Sequence, residues 1–135
     1  MGLGFSIGLL VGGIVVVIMM IVASQKRMPA STAKQTSRRL TLASPLAPAA
    51  VIEKLNAANW RRIKLHDSDP ARGVVVLATG MTIFSWGFFY PIFVTRNGSG
   101  STLEIGVKSR VFQAGPVVTN NHKAAVAEIE QALKT

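Results

Sequence analysis

Residues 73–110 read GVVVLATGMTIFSWGFFYPIFVTRNGSGSTLEIGVKSR, apolar runs punctuated by turn-forming residues, as in an antiparallel sheet. Gly73 to Thr79 is apolar at successive positions, so both faces of that strand are covered. Two further strand regions run from about Met81 to Phe88 and from Phe89 to Arg96. Asn97-Gly98-Ser99-Gly100 is a hairpin turn, because Asn and Gly tolerate the positive φ that two-residue loops demand. Beyond it, Thr102 to Arg110 alternates. Leu103, Ile105 and Val107 point inward, and Glu104, Lys108 and Arg110 point outward.

Within this stretch the composition changes abruptly. Of nine aromatic residues in the chain, six lie between Phe84 and Phe93. Phe88, Phe89 and Tyr90 are consecutive, so both faces of the strand that carries them are apolar. Helices on one side of a sheet cover one face only. The segment is then either packed as core at a bulge near Gly87, or its other face meets a partner, a second copy, a membrane or an apolar ligand. Trp86, Phe88, Phe89 and Tyr90 are therefore the candidate surface for a partner or an apolar ligand.

Working outward, Trp60 to His66 alternates, with Ile63 and Leu65 expected in the core. Asp67 to Gly73 has turn composition. Pro48 to Asn59 reads as a helix, with Pro48 in the first turn and Val51, Ile52, Leu55 and Ala58 at helical spacing. Gly115-Pro116 breaks the chain, and Asn120 or Asn121 can cap a last helix whose stripe is Val126, Ile129 and Leu133. Residues 48–135 thus form a small α+β domain: helix, about four antiparallel strands, helix, in two layers.

Ahead of this domain, Leu3 to Ala23 is 21 residues without a charge. At ~1.5 Å per residue such a run spans roughly 30 Å, so residues 1–23 are expected to be a single-pass transmembrane anchor. Gly4, Gly8 and Gly12 recur at four-residue spacing, a glycine zipper suited to close helix packing. Residues 24–47 read as a basic, flexible linker whose Lys26, Arg27, Lys34, Arg38 and Arg39 carry +5 of a net +9. By the positive-inside rule these residues hold the domain in the cytoplasm and the N-terminus outside, across a bacterial inner membrane or its equivalent. They also suit anionic lipid headgroups. Nucleic acid is a poorer partner, because the charges are sparse.

No residue pattern points to catalysis. There is no cysteine, and His66 and His122 are the only histidines. His66-Asp67-Ser68-Asp69 lacks further convergent ligands for a metal. The glycine-rich turn at 97–101 lies between strands, where phosphate loops precede helices. No catalytic, cofactor-binding or metal-binding residue is expected. The expectation is a non-enzymatic accessory or assembly subunit of a membrane complex, contacting other subunits or itself through the glycine and aromatic faces. The alternative is a membrane-tethered domain that binds a lipid or other apolar ligand.

Overall fold

The computed structural model describes residues 11–18, 27–80, 87–109 and 115–134. Helix α1 occupies residues 11–18. Strand β1 (Arg39–Ser44) leads to helix α2 (Pro48–Ala57). Then come β2 (Lys64–Asp69), β3 (Val74–Ala78), β4 (Phe88–Asn97), β5 (Gly100–Gly106), the two-residue β6 (Lys108–Ser109) and helix α3 (Gly115–Lys134). The six strands form one sheet in the order β1-β5-β4-β3-β2, with β6 beside β4. Every pairing is antiparallel. The first strand lies against β5, late in the chain, so the sheet is completed by a long-range pairing and not by hairpins alone.

Helices α2 and α3 lie on the inner face. Val51, Ile52 and Leu55 of α2 and Ala125 and Ile129 of α3 pack on Val75, Leu77, Phe88, Tyr90, Ile92, Leu103 and Ile105. Alternation explains the set: residues two apart on a strand share a face. Across β3 and β4, Leu77 sits opposite Tyr90 and Val75 opposite Ile92. All five residues of β3 are buried, as an apolar run covered on both faces requires.

The outer face is covered by the chain itself. Residues 27–36 cross it as a strap. Met28, Ala30 and Ala33 form a second apolar cluster with Val74, Val76, Ala78, Phe89 and Phe93. The strap starts over β2, where the Met28 N–H donates to His66 Nε2 (3.3 Å) and the Ala30 N–H to Asp67 Oδ2 (2.8 Å). It ends over β5, where Gln35 Nε2 donates to the Glu104 carbonyl (2.9 Å) and the Val107 N–H to Thr36 Oγ1 (3.1 Å). Gly106 permits this close approach, since a Cβ there meets the Gln35 and Thr36 side chains. The stretch expected to be a flexible linker therefore supplies a sheet strand and the sheet's outer cover.

Several expectations are corrected. The architecture is a six-stranded antiparallel sheet with three helices, in place of a transmembrane helix and about four strands. Among the described residues no helix is long and apolar enough to cross a membrane. The described part of the apolar run, residues 11–18, is helical. The rest of the run, with Gly4 and Gly8, lies outside the described residues, as does Lys26. The single-pass topology and the inner-membrane location both depend on a membrane-crossing helix, and they fall with it.

Two element boundaries also move. The strand expected at Trp60–His66 runs instead from Lys64 to Asp69, with a register shift between Leu65 and Asp67. Ile63 is buried, whereas Leu65 is 40 % exposed. Helix α3 begins at Gly115, not at Asn120 or Asn121. Gly115-Pro116 opens the helix instead of breaking the chain, because the first turn tolerates a missing N–H.

Candidate ligand groove

A groove of about 750 Å³ opens where α2 passes the β2–β3 turn and the far end of β4. One wall is a stripe of α2: Ala49, Ile52, Glu53 and Asn56 recur at three- and four-residue spacing and share a side of the helix. The opposite wall is the turn Pro70-Ala71-Arg72, and Val94 and Gly73 contribute the floor. Arg96 stands at the end.

The turn is fixed by its own backbone. The Arg72 N–H donates to the Asp69 carbonyl (3.2 Å) and the Gly73 N–H to the Pro70 carbonyl (3.1 Å). Gly73 has φ 70°, and a Cβ there meets the Val94 carbonyl at 2.9 Å, so only glycine lets the turn close on β4. The Arg72 guanidinium reaches away from the groove and donates to the carbonyls of Ala30 and Ala33 on the strap, the second at 3.1 Å. One residue thus lines the groove and holds the outer cover. The lining combines the apolar Ala49, Ile52 and Val94 with the charged Glu53, Arg72 and Arg96.

The candidate residues named from the sequence lie elsewhere. Phe88, Phe89 and Tyr90 are 0, 2 and 0 % exposed. Phe88 and Tyr90 belong to the inner core and Phe89 to the outer cluster. Trp86 lies outside the described residues. Phe88, Phe89 and Tyr90 are therefore the fold's own interior, covered on one face by helices and on the other by the strap. Gly12 lies on α1, and a Cβ added there would meet nothing within 4 Å among the described residues. Arg27, Lys34, Arg38 and Arg39 are exposed; Arg38 donates to Thr119 Oγ1 (3.0 Å) and Arg39 pairs with Glu104 (3.2 Å).

The titratable residues of the interior are structural. His122 lies buried on α3 with Nε2 2.7 Å from the Ile105 carbonyl, so that nitrogen carries the proton and donates it. Burial pushes its pKa down, keeping the ring neutral. The ring stacks on Tyr90, whose hydroxyl donates to the Asn121 carbonyl (3.3 Å) and whose pKa burial pushes up to about 12. On the outer face, the Ala30 and Ser68 N–H groups hold the Asp67 carboxyl below the usual carboxylate range. His66 and Asp67 fasten the strap, a role that their turn-like composition conceals. The groove residues carry little signal in the sequence. Their one local mark is the apolar pair Pro70-Ala71 in an otherwise polar turn.

No known protein family matches the chain, and no curated protein matches it. Among solved structures it is similar to Ara h 8.0201. The TM-score is 0.52 at 11 % identity, over 71 % of this chain and 93 % of that one. The likeness is one of fold and extends over nearly the whole neighbour. The expected accessory subunit of a membrane complex is overturned by these findings together. Among the described residues no membrane-crossing helix exists. The described aromatics are occupied within their own domain.

Proposed function

We propose that this protein is a non-enzymatic binding domain for a small apolar molecule with a polar end. The molecule's apolar body would lie on Ala49, Ile52 and Val94, and its polar end would face Arg96 or Glu53. The observation that carries the reading is the groove of about 750 Å³ with an apolar floor and charge at its edge. That volume is in the range of pockets that enclose drug-sized ligands, roughly 300–1,000 Å³. The inner core is filled by its own side chains, so the groove and not the aromatic run is the place for a ligand.

Titration of the full chain with 8-anilinonaphthalene-1-sulfonate and with medium-chain fatty acids tests this. Saturable one-to-one binding is expected. Ala49→Trp, at an exposed position on the helical wall, should weaken it at least tenfold while leaving the Tm unchanged. Binding that Ala49→Trp leaves intact would overturn the assignment of the groove.

A further inference from the structure

The outer face carries a second concavity, of about 300 Å³, between the start of the strap and the β4–β6 edge. Its chemistry differs from that of the groove. Arg27, Lys34 and Lys108 line it, together with the hydroxyl-bearing Thr32 and Ser109. Met28 and Phe89 supply an apolar base. No carboxylate lines it among the described residues.

The fold explains why these cations meet. Lys108 pairs directly opposite Phe89 in the β4–β6 ladder, and directly opposed residues project from the same face of a sheet. Phe89 packs under Met28 and Ala33 of the strap, so Lys108 stands beside the strap. On the strap itself Met28, Ala30 and Ala33 turn inward, while Arg27, Thr32 and Lys34 remain exposed along its length. Residues more than seventy positions apart are thereby brought to one cavity. Asp67 on β2, beneath the start of the strap, accepts from the Ala30 and Ser68 N–H groups.

Lys34 and Lys108 are exposed positive side chains at one concavity, and an anion seated between them is attracted to both. The two hydroxyls add neutral donors of the kind that contact phosphate oxygens. The volume suits a headgroup or a small phosphate ester and is too small for a protein element.

We propose that this cavity binds a phosphate-bearing anion, held by Lys34 and Lys108. The site is independent of the apolar groove and does not rest on that reading. The phosphate belongs either to a soluble ester or to a lipid headgroup, and two arms of one experiment separate the sources. In the first, the full chain in a non-ionic detergent is titrated with inorganic phosphate and glycerol 3-phosphate, followed by amide chemical shifts. In the second, flotation is measured with phosphatidylcholine vesicles with and without phosphatidic acid. Both arms are repeated with Lys34→Glu/Lys108→Glu. The control is Lys123→Glu/Lys134→Glu on α3, which lowers the net charge equally.

Shifts at Lys34 and Lys108 that saturate with the soluble esters identify a soluble source. Flotation with phosphatidic acid alone identifies a headgroup. In either case the Lys34/Lys108 variant should lose at least tenfold in affinity, and the α3 control less than threefold. Absence of binding in both arms overturns the site. So does binding that the Lys34/Lys108 variant retains, or that both double variants lose equally.

Discussion

The two faces of the sheet are buried by different means. On the inner face, two helices present apolar stripes to a core of Leu, Ile, Val and aromatic side chains. On the outer face, the irregular segment 27–36 lies across the strands, and its inward side chains are Met28, Ala30 and Ala33. The inner cover is held by apolar area. The outer cover is held largely by hydrogen bonds from side chains to the strap's backbone: Asp67 to the Ala30 N–H, and Arg72 to the Ala30 and Ala33 carbonyls. A helix satisfies its own backbone and can pack through side chains alone. An irregular segment must find partners for each buried N–H and C=O, so its position is set by the polar residues that meet them.

This difference predicts how each face fails. Leu55 is wholly buried in the inner core. Leu55→Ala removes its packing and leaves a cavity, at a cost of about 3 kcal/mol, with the loss spread over the whole cooperative unit. Urea unfolding should show a lower midpoint with an unchanged slope. Protection from amide exchange should fall together in α2, α3 and the central strands. Loss confined to α2 would mean that the inner face is not a single cooperative core.

Arg72→Ala cuts the strap's two carbonyl contacts and leaves the inner core untouched. The expected cost is smaller, about 1–2 kcal/mol from charge-assisted hydrogen bonds in a partly exposed place. Its signature is local: amides 28–36 should exchange faster while those of α3 keep their protection. Because Arg72 also lines the groove, ligand titration of the same variant reports whether strap and groove are coupled. Uniform loss of protection throughout the domain would break the distinction between the two covers.

The inner face is legible in the sequence for the same reason that it is robust. Leu103, Ile105 and Val107 alternate, Val51, Ile52 and Leu55 follow the helical period, and both patterns are local. The consecutive Phe88, Phe89 and Tyr90 correctly imply that a second face needs covering. What covers it is not legible. Met28, Ala30 and Ala33 follow no period, and their partners His66 and Asp67 lie nearly forty residues away, where the composition suggests the start of a solvated turn. Strand β1 is hidden in the same way. Arg39-Leu40-Thr41-Leu42 alternates, but it sits in a basic stretch, and only its pairing with β5 makes it a strand. The groove is assembled from a helix face, a turn and a strand end, so no contiguous motif could reveal it.

The smallest expected effect falls at the sheet's edge. Alternation places Leu65 in the core with Ile63, two residues earlier. A register shift follows Leu65 in the edge strand, and its side chain is 40 % exposed. Leu65 stands directly opposite Leu77 and shares the inner face with it, so alternation reads its direction correctly; it is exposed because it lies on the edge strand β2. Leu65→Thr keeps a β-favouring residue on an edge strand and removes little buried area, so stability should change by less than about 0.5 kcal/mol. Ile63→Thr, two residues away and 1 % exposed, serves as the internal contrast and should cost several times more. Equal losses at the two positions would mean that the edge is packed as tightly as the interior.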